Sequence, residues 1–313
     1  MRFIHTADWH LGRYFHGMHL TADQREIIMG QLVPLVQEEK VDAVVIAGDI
    51  YDRGVPPVEA VDLFDEFLMK MAEMHIKVFY IAGNHDSESR LNFGSQLMRA
   101  SGIFARGRLD DEMAPVVVED DFGPVAVYLY PYMEPASVRA ALGVEKSLDF
   151  EQAHELVIER SLAKRAGNMR SIAVAHAFLA GGLSSDSERQ LAVGGSSNVR
   201  PSIFRPFCYT ALGHLHNPQR AEAHHIRYSG SPIALSFDEA RQQKEVLLLA
   251  FEGSALQSIT PLPVPVFQPM ASLRGSLKEL AAAIAEQAAH GTPEKPVWLE
   301  VQVSTEDYLS DLQ

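Results

Sequence analysis

Three short apolar runs, 2–7 (RFIHTA), 42–48 (DAVVIAG) and 76–83 (IKVFYIAG), each end in a polar or glycine-bearing turn. Between them, residues 21–39 and 57–74 space their apolar positions as helices do, and Pro57 stands where a helix would start. This alternation predicts right-handed crossovers onto a largely parallel sheet, whose central strands read as near-continuous apolar runs. Farther along, strands are expected near 115–119, 125–130, 171–176, 208–213, 226–229 and 246–251, with a helix near 149–165. Several of these can pair antiparallel. The expected fold class is α/β: a two-sheet mixed sandwich flanked by helices.

Punctuation divides the rest. Residues 181–200 (GGLSSDSERQLAVGGSSNVR) are rich in Gly and Ser and read as a long surface loop of the kind that carries function or moves. The proline-rich TPLPVPVFQP at 260–269 reads as a semi-rigid connector, giving one unit over 1–262 and a second over 263–313. In the second, 276–289 is an alanine-rich helix and 296–303 an alternating strand. Fewer than about 50 residues make little autonomous core, so this is expected to be a partial, dependent α+β unit.

Composition narrows the function. Hydrophobic residues make up 47% of the 313, enough for a sizeable core. No membrane association is expected, because no apolar stretch approaches the roughly 18 residues of a span; the first residues resemble no secretion signal, so the chain is expected in the cytoplasm. The single cysteine, Cys208, suits a reducing compartment and reads as a small core residue. Lys and Arg number 27 against 41 Asp and Glu, a net charge of −14. That excludes a nucleic-acid binder working by general attraction. Any grip on a polyanion must be local, from metal ions, a partner or a rim of arginines, for which Arg13, Arg53, Arg90, Arg99, Arg106 and Arg108 are candidates.

The chemistry is concentrated where strands end. Five clusters occur in order: Asp8-Trp9-His10, the run GDIYDRG with Asp49 and Asp52, GNHD with Asn84, His85 and Asp86, His176, and GHLH with His214 and His216. Two divalent cations roughly 3.5–4 Å apart need a shared carboxylate, and Asp49 is the candidate bridge. Residues two apart at a strand end point the same way, so Asp8 and His10 can hold one ion together. His214 and His216 have the same spacing and can serve either. Asn84 offers a neutral oxygen to the second ion, and His176 would complete that shell. Singly these motifs say little; their ordered set, each after a strand-like run, points to a two-metal site. His5, Trp9 and Phe15 read as packing residues, and His224 with His225 as a surface pair. His16, His19, His75, His154 and His290 stand outside every cluster.

The ordered set resembles the calcineurin-like metallophosphoesterase superfamily. MRFIHTADWHLGR, VIAGDIYDRGVPP, GNHDSESRL and YTALGHLHNPQ are similar to the SbcD family of bacterial nuclease subunits, over most of residues 1–240. The resemblance implies that Asp8, His10, Asp49 and His216 hold one Mn²⁺, with Mg²⁺ the other candidate, and that Asp49, Asn84, His176 and His214 hold a second. It implies that His85 is a catalytic non-ligand beside the scissile phosphate, backed by Asp52 and by Asp86, the latter placed to orient His85. It also implies a DNA phosphodiesterase, a double-strand exonuclease and hairpin or single-strand endonuclease of end processing, recombination and repair. Its partners would be DNA, an SbcC-type P-loop ATPase and a second copy. The apolar turns of 21–39 and the region near 60–75 read either as dimer surfaces or as buried core. Residues 266–313 resemble the first part of the family's cap domain.

GDIYDRG is shared with the phosphoprotein phosphatases, which makes a phosphatase or small-molecule phosphodiesterase the rival. Those enzymes continue GNHE where this chain has GNHD. A scaffold with vestigial catalysis is a third reading, weakened by the presence of every ligand position and of His85.

Overall fold

The structure, a computed structural model, describes residues 1–110, 113–164, 169–188, 198–253 and 255–304. Its first sheet is built on β1 (Arg2–Thr6), β2 (Ala43–Ile46), β3 (Lys77–Ile81) and β4 (Ile103–Arg106), all parallel, with β11 (Glu245–Glu252) and β12 (Ala255–Pro263) antiparallel on the β1 side. The second sheet runs in the order β9 (Gln219–Arg220), β10 (Ile226–Tyr228), β8 (Tyr209–Gly213), β7 (Arg170–His176), β6 (Gly123–Tyr130), β5 (Val116–Asp120).

Strand periodicity then sorts side chains into three cores. Phe3, Val45, Phe79 and Leu247 of the first sheet meet Val127, Leu129, Val174 and Ala211 of the second. The intervening residues point outward: Ile4, Val44 and Val78 under the helices of 21–38 and Val58–Glu73, and Tyr128, Tyr130 and Ala173 under the helix Phe150–Ala163. The result is the mixed two-sheet sandwich flanked by helices that the apolar pattern predicts. At about 25 cal/mol per Å², it is these fully buried strands that dominate stability.

Three features differ from the sequence pattern. The helix of 21–38 is wound as a π-helix over Glu26–Leu32. Pro34 follows at once; it has no N–H to donate, and its ring would crowd the carbonyl four residues back, so a wider turn relieves both problems. Second, residues 260–263 of the proline-rich segment are not connector but the end of β12, with Pro261 opposite Leu247 and Pro263 opposite Glu245. β12 is an edge strand, where a proline removes no needed ladder bond. Third, β4 and the helix Pro135–Leu142 lie in stretches with no clear period.

Beyond residue 264, β13 (Met270–Gly275) pairs in parallel with β14 (Trp298–Val303), joined by the helix Leu277–Ala288 with its Ser276/Glu279 capping box. This unit rests on the hairpin Tyr14–Phe15/Met18–His19: Trp298 stacks on Phe15 with ring centroids 5.5 Å apart, and Phe237 and Met270 close the same small cluster. Residues 189–197 of the Gly/Ser-rich segment lie outside the described residues. Among the described residues, no helix is long and apolar enough to cross a membrane.

Candidate metal centre

The five clusters meet at the carboxyl ends of β1, β2, β3, β7 and β8. Parity places them: Val174 and Ala211 face the inter-sheet core, so His176 and Gly213 open onto its mouth, and residues 176 and 213 pair across the ladder. Asp8, His10 and Asp49 have φ of 54°, 45° and 48°, and His214 has φ 106°. Non-glycine residues in such conformations cost about 1–3 kcal/mol each and need surroundings that enforce them.

Those surroundings are hydrogen bonds. Asp8 N–H donates to Gly48 O at 3.0 Å and His10 N–H to Asp49 O at 3.0 Å. Gln24 Nε2 donates to Trp9 O (3.0 Å) and His10 O (2.7 Å), while its Oε1 accepts from Gly12 N–H (3.0 Å). The Asp86 carboxylate accepts three backbone N–H groups, from Ile50 (3.1 Å), Tyr51 (2.9 Å) and Gly83 (2.9 Å), so it staples two motif loops together. Only glycine fits at 83 and 213, where a Cβ would lie 2.1 Å from Asp49 Oδ1 and 2.0 Å from Ala47 O.

The donors form two groups. His10 Nε2 and His216 Nε2 face each other at 3.1 Å beside Asp8. His176 Nε2 and His214 Nδ1 converge on Asn84 Oδ1 at 2.9 and 3.0 Å. Asp49 Oδ2 lies between, 3.7 Å from His10 Nε2 and 3.3 Å from His176 Nε2. All seven expected ligands are therefore brought together. They fit divalent cations: Asp8 Oδ2 is a buried carboxylate oxygen with no partner, and the donors are oxygen and nitrogen without thiolate, a set suited to Mn²⁺ or Mg²⁺ among others.

The electrostatics point the same way. Burial pushes Asp8 up to about 7, against the pull of His176 and with the help of Asp49. Burial draws His214 down to about 3 and His216 to about 4, keeping both imidazoles neutral, as metal ligands must be. His176 and His10 go the other way: against their burial, Asp49 and Asp8 raise His176 to about 9, and Asp52, Asp49 and Asp8 raise His10.

His85 stands beside the donors. Its backbone N–H donates to Asp49 Oδ1 at 2.9 Å and its Nδ1 to the Asp52 carbonyl at 2.8 Å, leaving Nε2 for chemistry. The orienting acceptor is therefore the Asp52 backbone and not Asp86, whose oxygens are spent on backbone N–H groups. Adjacent side chains diverge, so sequence neighbours make poor partners. Burial chiefly lowers the His85 pKa. The Asp52 side chain accepts from Arg13 at 2.9 Å and lies 3.5 Å from His10 Nδ1.

Of the candidate arginine rim, Arg53, Arg90, Arg99 and Arg108 are exposed. Arg106 is not part of it: it is buried, donating to Leu129 O at 3.3 Å and Ala114 O at 3.0 Å. Sequence reasoning also missed Gln24, Ser187, Glu188, Glu239 and Lys244, which surround the ligands from distant segments. No spacing signal marks them.

Fold and site together define a metal-dependent phosphoesterase of the calcineurin-like class, and the model of the calcineurin-like phosphoesterase family matches residues 1–217. A model described as the type 5 capsule protein repressor C-terminal domain matches 266–313. Curated relatives named as the SbcD component of the nuclease SbcCD include that of Escherichia coli (strain K12), 34% identical over 332 residues with 100% of this chain and 80% of the relative covered. That of Staphylococcus epidermidis is 32% identical over 281 residues, covering 90% and 74%. The chain belongs to this SbcD family. Among solved structures, a dimetal phosphatase from Danio rerio aligns at 13% identity over 84% of this chain and 98% of that one, with a TM-score of 0.46.

Proposed function

We propose that this chain is a DNA phosphodiesterase, the nuclease subunit of an SbcCD-type complex acting on double-strand ends and hairpins in recombination and repair. The observation that carries the reading is Asp49 Oδ2 set between two converging groups of donors. Asp8, His10, Asp49 and His216 would hold one Mn²⁺, and Asp49, Asn84, His176 and His214 the other. Bound there, two such ions would activate a water for attack on phosphorus and offset the charge of the phosphate oxygens.

The chain's own residues do the rest. Asp49 orients His85 through the backbone N–H, and the Asp52 carbonyl fixes the ring through Nδ1. Nε2 then protonates the departing sugar oxygen; burial makes the His85 imidazolium a stronger acid, which suits that transfer. GNHD rather than GNHE, and relatives named as nuclease subunits, favour this reading over a phosphatase.

Grip on DNA at a net charge of −14 falls to the metals, to the exposed arginines near the site and to partners. An SbcC-type P-loop ATPase would supply ATP dependence, and residues 263–313 would form part of a capping domain. A second copy of the chain would cover exposed apolar side chains such as Val58, Val61, Met69, Phe93 and Leu97. The test compares linear duplex DNA, hairpin DNA and p-nitrophenyl phosphate, with Mn²⁺ and with chelator. Metal-dependent cleavage of both DNAs supports the reading; strong monoester turnover without DNA cleavage contradicts it.

A further inference from the structure

His216 is held at every polar atom but one. Its N–H donates to Glu188 Oε1 at 2.7 Å, and its carbonyl accepts from Lys244 Nζ at 2.9 Å. Its Nδ1 lies 2.6 Å from Ser187 Oγ and 3.3 Å from Glu239 Oε1, and Ser187 Oγ itself donates to Glu239. Only Nε2 is left, and it faces His10 Nε2 across the cage.

Glu239 is a costly group to place here. It is 1% exposed, on the turn Phe237–Arg241, and its Oε2 accepts from Lys244 Nζ at 2.6 Å and Leu235 N–H at 3.2 Å. Lys244, also buried, donates besides to Ser231 Oγ at 3.0 Å and Gln242 Oε1 at 2.9 Å. A buried ion pair is a poor source of stability compared with apolar packing, so its place against a metal-ligand candidate calls for a specific use.

We propose that Glu239 is a positioning residue: directly and through Ser187 it holds His216 in the tautomer protonated at Nδ1, so that the Nε2 lone pair faces the cage. Lys244 balances its charge and pins it. Carboxylates behind a ligating histidine fix ring orientation and tautomer in this way, and losing one typically weakens metal binding about 10–100-fold. The inference rests on the dinuclear reading and adds to it a residue far from every ligand in sequence. The turn also carries Phe237, packed 5.3 Å from Phe15, the ring on which Trp298 stacks. The positioning residue therefore rides on the seat of the C-terminal unit.

Mn²⁺ titration calorimetry on the wild-type chain, Glu239→Gln and Ser187→Ala tests this, together with ¹⁵N NMR of His216 in the metal-free proteins. The wild type is expected to take two ions and to show His216 protonated at Nδ1. Glu239→Gln should keep one ion near wild-type affinity, bind the other about 10–100-fold more weakly, and lose the fixed tautomer. Should Glu239→Gln fail to fold, Ser187→Ala, on a half-exposed loop, carries the test with a smaller loss in the same ion. Wild-type affinity for both ions in both variants, or an Nε2-protonated His216 in the wild type, overturns the proposal. A wild type that binds fewer than two ions overturns the dinuclear reading instead.

Discussion

The two ends of the cage are held by different means. His176 is fixed by backbone: its Nδ1 donates to Ala47 O at 2.9 Å, and a Cβ on Gly48 or Gly213 would lie 2.4 or 2.9 Å from that nitrogen. His216 is fixed by side chains, Ser187, Glu188, Glu239 and Lys244, drawn from two other segments. A ligand held by strand ends and glycines is as rigid as the sheet. One held by a network of side chains depends on groups outside the sheet, and so can be tuned separately.

Substitutions test this contrast. Asp49→Ala should strike both ends at once, lowering DNA cleavage on the order of 10⁴-fold, the several kcal/mol that a metal pair supplies, with loss of both ions in calorimetry. His85→Asn should reduce kcat by about 10²–10⁴ while two ions remain bound, because the ring lies outside both donor groups. Gly213→Ala should attack the backbone-held end through the fold, costing about 1–3 kcal/mol in a urea titration as Ala47 is pushed aside. Ser187→Ala should leave that urea midpoint within about 0.5 kcal/mol yet still weaken metal binding, the opposite pattern.

Acid separates the ends from the rest of the protein. A metal bound in the cage would have to displace a proton from Asp8, at about 7, and from His176, at about 9. Both are protonated below those values, so Mn²⁺ affinity measured by calorimetry should fall as pH is lowered from 8 to 6, by up to about tenfold per unit for each proton. Stability answers to other groups. His5 and His154 are drawn by burial to about 3 and about 4, below the unfolded value of 6.5, so both are neutral in the fold. Their share of stability is present above pH 6.5 and is lost as pH falls toward those values, which urea midpoints at pH 7.5 and 5 should register. The smallest effect is expected from Trp298→Ala, which loosens the seat of the Phe237 turn: about twofold weaker binding at the His216 end alone, following the usual size of a lost aromatic contact at a partly exposed site.

The same contrast explains what could be read from the chain. Asp8, His10, Asp49, Asn84, His176, His214 and His216 were legible because each follows an apolar strand or a glycine at a strand end, and strand parity says where such residues point. The central strands of both sheets were legible for the same reason, and the edge strands β4, β9 and β12 were not. Glu239 and Lys244 were not, because SPIALSFDEARQQK carries no period and its acidic residue becomes a partner of His216 only after the turn folds back. The role expected for Asp86 failed similarly: its neighbour in sequence is His85, but its neighbours in space are three backbone N–H groups. The π-turn before Pro34 and the strand through Pro261 and Pro263 required tertiary packing to be seen.

The central claim is one cage bridged by Asp49. Electron paramagnetic resonance during Mn²⁺ titration of the metal-free chain addresses it directly. The account predicts two ions per chain with an exchange-coupled spectrum that Asp49→Ala abolishes; a single ion, or two that remain magnetically isolated in the wild type, would contradict it.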